Sequence, residues 1–420
     1  MDPSTGLRRW RLLGGLGRLP PVMRLLVLTQ LAFNVGFYMV VPYLAVHLAE
    51  DLGLAGGVVG LVLGLRTFSQ QGLFVIGGTL ADRIGAKPVV LAGCALRVLG
   101  FVLLAAAGGL VGVIAGALLT GFAAALFSPA VESSLAREAG ERSGEGLVRA
   151  DVFAMFAVSG QVGAVVGPLV GTLLLLVDFR VSCLVAAVAF VLIGLAHLHW
   201  LPNRPAQHAG EPVLAGWAEV LGNRPFLAFA AGYAGYLVCY NQLYLALPVE
   251  LVRATGNQAA LGWLFALASL LVITGQLPTT RWIRRFDTGH AIVLGFALMA
   301  LAFVLVAVAA LLPTPSGPLA LWSAVGFVVL LTGGQMITQP LAQDLVPRLA
   351  GERRLGAHFG VLSSAGGVAV LVGSTAAGTL LDPTVAPPAL AWLALALIPV
   401  ASAAAIAMLA RRGALHVPAA

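Results

Sequence analysis

The chain has 420 residues, of which 60% are apolar and only 10% are charged. A soluble chain is about one-quarter charged, so this composition excludes a set of water-soluble domains with charged surfaces. The formal net charge of +7 is spread over short segments between apolar runs, which argues against a nucleic-acid-binding patch. The surface of the chain is therefore expected to face lipid.

Long apolar stretches recur along the sequence, and each is long enough to cross a bilayer, which takes about 20 residues in a helix. Turn-forming segments such as Pro313–Pro318 and Asp382–Pro388 separate them. The first stretch is too long for the apolar core of a cleaved signal peptide, so it is expected to stay in the membrane. The predicted spans are 23–49, 56–80, 88–108, 110–135, 148–177, 181–200, 225–252, 258–283, 289–312, 318–345, 355–380 and 385–410.

The cations predict which side of the membrane each loop occupies. With a cytoplasmic N-terminus, twenty of the 24 lysines and arginines fall on the inner side, as the positive-inside rule requires. Only Arg180 and Arg253 fall outside, and Arg66 and Arg97 lie within spans. Both termini are then cytoplasmic. Together with a composition typical of a GC-rich bacterial genome, this predicts a multi-pass protein of the bacterial cytoplasmic membrane.

The predicted spans divide into two similar halves. Residues 1–201 form an N-terminal six-helix bundle, 202–224 a central cytoplasmic loop, and 225–420 a C-terminal six-helix bundle. The second and eighth spans both end in small residues, at 77–83 and 274–278, before a short basic loop. Such similarity is expected of transporters that move two bundles about a central site. The predicted fold class is therefore all-α integral membrane, with twelve transmembrane helices in two pseudo-symmetric six-helix bundles.

Residues Gly78–Pro88 carry the pattern G-x-L-x-D-R-x-G-x-K between the second and third predicted spans. This pattern resembles the signature of the major facilitator superfamily at the same place in the chain. In that family the cluster latches the two halves together on the inner side and opens for inward access. Asp82 is expected to face the positive N-terminal end of the eleventh helix. The latch residues implied by the resemblance are Gly78, Asp82, Arg83, Gly85 and Lys87.

The fifth predicted span carries G-x-x-x-G-P-x-x-G, a pattern similar to that of exporters in the drug/proton antiporter branch of the superfamily. Its residues are Gly163, Gly167, Pro168 and Gly171. The three glycines share one helical face, where a helix from the other half is expected to pack, and the proline favours a bend. Thr172 stands where the branch has a further glycine.

Stretches of the N-terminal half, among them Gly64–Arg66 and Gln70–Leu73, also resemble one multidrug exporter of this branch. The likeness implies drug export without fixing the substrate, and it thins out in the C-terminal half. One position departs from the branch. An arginine is expected in the fourth span four residues before Gly121, and Ala117 stands there.

Charged residues inside spans predict where protons could bind. A charge at mid-bilayer is costly, so Arg66 is either functional or tied to a buried partner such as Glu132 or Asp344. Among the acids, Glu132 is the first choice because it lies deeper in its span than Asp151, although a structural role remains the alternative. The proton-coupling candidates are Glu132, Asp82, Asp344, Arg66 and Arg97.

Polar residues at helical spacing predict the wall of a substrate cavity. Four tyrosines of the seventh predicted span, from Tyr233 to Tyr244, share one face, and helices 1, 7 and 10 line the central cavity in the superfamily that the chain resembles. Such walls suit flat, amphipathic, often cationic compounds. The alternative is hydrogen bonding between helices. The cavity candidates are Asn34, Tyr38, Arg66, Gln70, Tyr233, Tyr236, Tyr240, Asn241, Gln335 and Gln339.

The sequence carries no pattern of a catalytic or cofactor site. Its three cysteines are isolated, which predicts neither a disulfide framework nor a zinc site. Its single lysine, Lys87, does not fit an ATP-binding loop. The expected function is proton-coupled export of hydrophobic or amphipathic drug-like molecules by alternating access. The alternative is uptake of a small metabolite, including an anionic one. The expected partners are protons, a small-molecule substrate and lipid, and the resemblance implies a monomer without cofactor or metal.

Overall fold

The computed structural model describes residues 17, 19–141, 149–204, 217–283, 285–351 and 355–415, and these residues are helical without a strand. Ten of their helical segments are each long and apolar enough to cross a membrane. The second and seventh spans are built from two consecutive helices each, which gives twelve spans in all. In chain order the spans are Pro21–Asp51, 56–84 (Gly56–Gln71 and Phe74–Ile84), Ala86–Ala106, Leu110–Glu141, Arg149–Leu175, Phe179–Trp200, 224–255 (Arg224–Tyr233 and Gly235–Thr255), Leu261–Ile283, Thr288–Ala309, Gly317–Leu349, Leu355–Leu380 and Pro388–Arg411.

The spans pack in a pattern that repeats after six. In the N-terminal half the third span contacts the fourth and the sixth, and the fifth span contacts the first. In the C-terminal half the ninth span correspondingly contacts the tenth and the twelfth, and the eleventh span contacts the seventh. The halves touch through two related pairs, the second span on the eleventh and the fifth on the eighth. The chain therefore forms two pseudo-symmetric six-helix bundles. A short helix, Trp217–Gly222, lies between them in the chain, within the predicted central loop.

The break in the second span falls between its two helices, at Gly72 and Leu73. A broken helix at membrane depth needs protein partners for its free backbone groups. Ser364 of the eleventh span supplies one, because its hydroxyl donates to the Gly72 carbonyl oxygen at 3.1 Å. The break is therefore part of the contact between the halves.

The two ends of the bundle differ. We call the end that holds Leu19 and Arg412 the terminal end, and the opposite end, with loops 52–55, 256–260 and 381–387, the distal end. At the distal end the second and eleventh spans touch backbone to backbone. A Cβ atom added at Gly60 would lie 2.0 Å from the Ser374 carbonyl oxygen. Only glycine allows this approach.

The glycine face of the fifth span packs on the first span of its own half, so the prediction that a helix of the other half packs there is wrong. Cβ atoms added at Gly163 and Gly171 would lie 2.6 Å from the carbonyl oxygens of Leu31 and Met39. The first span breaks next to Met39, between the helices that end at Tyr38 and begin at Val41. The glycines make room for this irregular backbone.

The contact of the fifth span with the other half uses the adjoining face. A Cβ atom added at Gly262, at the start of the eighth span, would lie 2.2 Å from the Thr172 hydroxyl oxygen. That hydroxyl and Tyr43 share the Pro168 carbonyl oxygen, with Tyr43 donating at 2.5 Å and Thr172 at 3.0 Å. The glycine at this contact is therefore Gly262 of the eighth span. It leaves room for a larger residue on the fifth span, which explains how threonine can stand at position 172.

Candidate functional site

A polar cavity of about 280 Å³ lies between the second, seventh, tenth and eleventh spans, in the half of the bundle nearer the terminal end. Two kinds of side chain dominate its wall, tyrosines of the seventh span and glutamines of the second and tenth. A spacing of three or four residues puts the tyrosines on one face of the seventh span and the three glutamines of the tenth span on one face of that helix. The polar lining residues are Gln71, Tyr233, Tyr236, Tyr240, Gln335, Gln339, Gln343 and Ser363.

The tyrosines form a stacked surface with hydroxyl groups along it. The rings of Tyr233 and Tyr236 are nearly parallel, with centroids 5.0 Å apart. The Tyr236 hydroxyl donates to Gln339 Oε1 at 3.1 Å, which fixes the ring and the amide. The hydroxyl oxygens of Tyr240 and Tyr244 are 3.3 Å apart and continue the stripe toward the distal end.

Arg66 lies just distal to the cavity, within electrostatic reach of Tyr240, and only 4% of its surface is exposed. Its Nη2 donates to Gln70 Oε1 at 2.6 Å, and its guanidinium carbon lies 4.6 Å from the centre of the Phe37 ring. Its Nε has no hydrogen-bond partner among the described residues. Tyr38, which follows Phe37 in the first span, also interacts electrostatically with this guanidinium. The alternative that Arg66 pairs with Glu132 or Asp344 is wrong.

Arg97, in the third span, is enclosed by aromatic rings and does not reach the cavity. It is 1% exposed, and it donates to the Thr120 carbonyl oxygen. Such rings stabilise a buried cation through their negative faces. Its guanidinium carbon lies 4.6 Å from the ring centre of Phe33, 5.2 Å from Phe190, 5.6 Å from Phe101 and 5.7 Å from Phe37.

Two of the cavity candidates lie at contacts between helices. Asn34 Nδ2 donates to the Gln30 carbonyl oxygen at 2.8 Å, beside the glycine face of the fifth span. Asn241 accepts from the Thr67 hydroxyl at 3.2 Å and donates to the Ser374 hydroxyl at 2.7 Å. It thus joins the seventh span to the second and eleventh. The structure places both amides outside the cavity wall.

The latch residues lie at the terminal end. Gly85 has a φ of +91°, a backbone conformation that favours glycine. Lys87 Nζ donates to the Leu198 carbonyl oxygen at 2.9 Å, a contact within the N-terminal half. Arg83 lies in the last turn of the second span. The surroundings of Gly78 and of the Asp82 side chain are outside the part of the chain that the structure describes.

The predicted acids have different surroundings. Glu132 is exposed and makes no hydrogen bond or ion pair with another described residue. Asp344 forms an exposed ion pair with Arg348 in the next turn, at 2.5 Å. The side chain of Asp151 lies outside the described residues.

Sequence reasoning missed an acid, Glu250, in the seventh span. It is fully buried, and Arg253 donates to both of its oxygens at 2.7 Å. Ser323 of the tenth span also donates to it. It lines a distal cavity of about 480 Å³ together with Glu50 and Gln258, which are joined across the halves at 2.9 Å. The sequence feature that could have identified Glu250 is an acid inside an apolar run, two residues after Pro248.

A bundle of twelve spans that repeats after six and encloses a polar cavity between its halves defines a membrane transporter, not an enzyme. The chain belongs to the Major Facilitator Superfamily, whose sequence profile matches residues 26–374. It is 42% identical over 369 residues to an uncharacterized transporter of this type from Mycobacterium tuberculosis, covering 86% of this chain and 85% of that one.

Three further similar proteins have lower sequence identity. The chain is 28% identical to the multidrug resistance protein MdtH of Salmonella schwarzengrund, over 89% of this chain and 90% of that one. Its fold is similar to that of the nucleoside transporter NupG, with a TM-score of 0.76, 15% identity and coverage of 92% and 99%. A POT family transporter solved with a thioalcohol-conjugated peptide has a TM-score of 0.76 at 14% identity, with coverage of 93% and 96%. These structures share the fold.

Proposed function

We propose that the protein exports hydrophobic or amphipathic drug-like molecules across the bacterial cytoplasmic membrane, coupled to protons, by alternating access and as a monomer. The observation that carries this proposal is the wall of stacked tyrosines and glutamines in the central cavity. Flat aromatic molecules can stack on such rings, while the amides bind whatever polar groups they carry. The similarity to a multidrug resistance protein supports the same substrate class.

In this proposal the terminal end faces the cytoplasm, because most cations fall on that side. The cavity then opens inward, and the distal contact between the second and eleventh spans is the closed outer gate. Substrate enters from the cytoplasm between Tyr236 and Gln339. Release outside requires the distal contact to part and the latch at Asp82 and Arg83 to close.

Glu132 is the proposed proton carrier, because it is an acid in a membrane span without an ionic partner among the described residues. Protons bound from outside favour the inward-facing form, and their release to the cytoplasm accompanies the entry of substrate. Asp82 and Asp344 are the next candidates. Since Asp344 already pairs with Arg348, it ranks below Glu132.

Drug accumulation in a pump-deficient bacterium tests the proposal. Three fluorescent amphipaths of different charge serve as probes: rhodamine (cationic), Nile red (neutral) and anilinonaphthalene sulfonate (anionic). We expect the native protein to lower the accumulation of at least one, a protonophore to abolish this effect, and Asp82→Asn and Glu132→Gln to impair it. Asp178→Asn is the matched control, because asparagine also caps the helix that Asp178 caps.

Unchanged accumulation of all three probes would contradict drug export. Higher accumulation in cells with the native protein would instead support the alternative, an uptake carrier. Full efflux by Glu132→Gln would leave export standing and move the proton site to Asp82, Asp344 or Asp151.

A further inference from the structure

The centre of the bundle holds two buried arginines, and no carboxylate among the described residues contacts either. Arg66 binds Gln70 and Arg97 binds the Thr120 carbonyl oxygen, and both lie over the Phe37 ring. Among the described residues, the buried guanidinium nitrogens without a hydrogen-bond partner are Nε of Arg66 and Nε and Nη2 of Arg97. A charge in this position is costly in a membrane unless it is paired.

The described acids are engaged elsewhere or lie far along their helices. At about 1.5 Å of rise per residue, Glu132 is about 16 Å from Gly121, whose helix turn touches the Arg66 carbonyl. Glu250 is about 15 Å from Tyr240 on the same scale, and it is already bound by Arg253. The other acids with described side chains have partners away from the two arginines: Glu50 with Gln258, Asp51 with His47, Glu138 with Arg204, Asp178 with the Arg180 amide, Asp287 with His290, Asp344 with Arg348 and Asp382 with Thr384.

Only one of the two arginines lies next to the cavity. Arg97 is enclosed by four phenylalanine rings. Arg66 is hydrogen-bonded to Gln70, whose chain neighbour Gln71 lines the cavity, and it interacts electrostatically with Tyr240, which lines the cavity as well. Gln70 holds one edge of the guanidinium with a neutral oxygen. A ligand anion that replaces this oxygen would make a charge-assisted hydrogen bond, which is stronger.

We propose that Arg66 is an anion-binding subsite of the central cavity, and that the transported amphipath carries a carboxylate or a comparable acidic group. The anion replaces Gln70 at the guanidinium, with the hydroxyls of Tyr38 and Tyr240 beside it, while the apolar body of the molecule stacks on Tyr236. This proposal rests on the proposed function. It changes the expected substrate class, because a lipophilic cation would approach two buried positive charges with no described carboxylate beside them.

Charge-matched ligand sets test the proposal on the purified full-length protein. Each set has one aromatic body as acid, amide and amine, for example naphthoate, naphthamide and naphthylmethylammonium, and binding is measured by thermophoresis across a panel of such sets. We expect the acid to bind about tenfold more tightly than its amide, a ratio that corresponds to about 1.4 kcal/mol, and the amine to bind most weakly.

Two substitutions show whether Arg66 is responsible. Arg66→Gln should bring the acid down to the affinity of the amide while amide binding persists, which also shows that the variant is folded. Arg66→Lys should restore part of the preference, because it keeps the charge without the planar fork of arginine. Arg180→Gln, which removes an exposed arginine at the distal end, should keep the full preference for the acid.

The outcomes separate this proposal from the proposed function. If amide or amine binds as tightly as the acid, the anion subsite is wrong and drug export stands. If the acid keeps its advantage in Arg66→Gln, an anion is bound elsewhere and the assignment to Arg66 is wrong. If no member of any set binds and no fluorescent probe is exported, both proposals fail.

Discussion

The two halves of the protein meet in different ways at the two ends of the bundle. At the distal end the second and eleventh spans touch through backbone, with Gly60 against the Ser374 carbonyl and Gly378 against the Gly56 carbonyl. Toward the terminal end, a cavity lined by tyrosines and glutamines separates the halves. At the distal end, backbone contact brings two spans together beside a cavity of about 480 Å³, whereas nearer the terminal end tyrosines and glutamines line the space between the halves.

The difference shows how a tight contact between two helices can also separate during transport. Small residues in contact gain van der Waals energy over a large area, but they bury few polar side chains. When such a surface parts, few hydrogen-bonding groups lose their partners, so the cost of opening stays moderate. At the terminal end, Arg204 of the central loop forms an ion pair with Glu138 of the fourth span.

A disulfide across the distal contact should have the largest effect, because it removes the movement itself. A Cβ atom at position 57 would lie 3.6 Å from the Thr379 Cβ, inside the roughly 3.5–4.5 Å range of disulfides. We expect oxidised Gly57→Cys/Thr379→Cys protein to lose all transport in proteoliposomes, and a reductant to restore it. The native cysteines, Cys94, Cys183 and Cys239, are buried and can remain.

Each single cysteine variant is the control for oxidation, and it should transport equally before and after treatment. Full transport by the cross-linked double variant would show that the distal contact need not open. The interpretation of the distal contact as a gate would then be wrong.

A larger side chain in the distal contact should have the second largest effect. Gly60→Val places atoms where the Ser374 carbonyl oxygen lies, 2.0 Å from the new Cβ, so the halves cannot close at this end. We expect a transport rate at least about tenfold lower, since closure must recur in every cycle. Gly333→Val is the matched control, because a Cβ there meets nothing within 4 Å. Equal rates for the two variants would contradict a tight closure.

Most of the architecture could be predicted from the sequence, because membrane helices are selected by apolar length. The twelve spans were predicted within six residues at each end, including the second and seventh, which are broken into shorter helices. Their breaks could not be predicted, since they depend on partners from other spans, such as Ser364 for the Gly72 carbonyl. The partner of the fifth-span glycines was predicted wrongly for the same reason: spacing shows a small face but not the helix that packs on it.

The cavity wall was partly predictable. Helical spacing placed Tyr236 and Gln339 on the faces that the structure brings together at 3.1 Å. The same reasoning could not separate a wall residue from an interhelical contact such as Asn241. Glu250 was missed because it lies near the end of a predicted span, where an acid usually reaches water. Its burial depends on Ser323, 73 residues later in the chain.

Removing the charge of Glu250 should have an intermediate effect, on stability. This carboxylate at the closed distal end is fully buried and accepts three hydrogen bonds, two from Arg253 and one from Ser323. Breaking a fully buried pair from one side costs about 3–5 kcal/mol. Arg253 is partly exposed, so the cost here is smaller, but Glu250→Gln should still lower the unfolding temperature of the protein in detergent. The double variant Glu250→Gln/Arg253→Gln should recover part of the loss. An unchanged unfolding temperature would show that the pair is not desolvated.

Asp344→Asn should have the smallest effect, because its ion pair with Arg348 lies at the open terminal end. The two side chains remain 55% and 42% exposed, although their atoms approach to 2.5 Å. Water already solvates both charges, and such pairs contribute at most about 0.5–1 kcal/mol. We expect the unfolding temperature to fall only slightly at low salt and to equal that of the native protein in high salt. A loss of stability as large as that of Glu250→Gln would mean that the terminal end also closes on Asp344, and the contrast between the two ends would no longer hold.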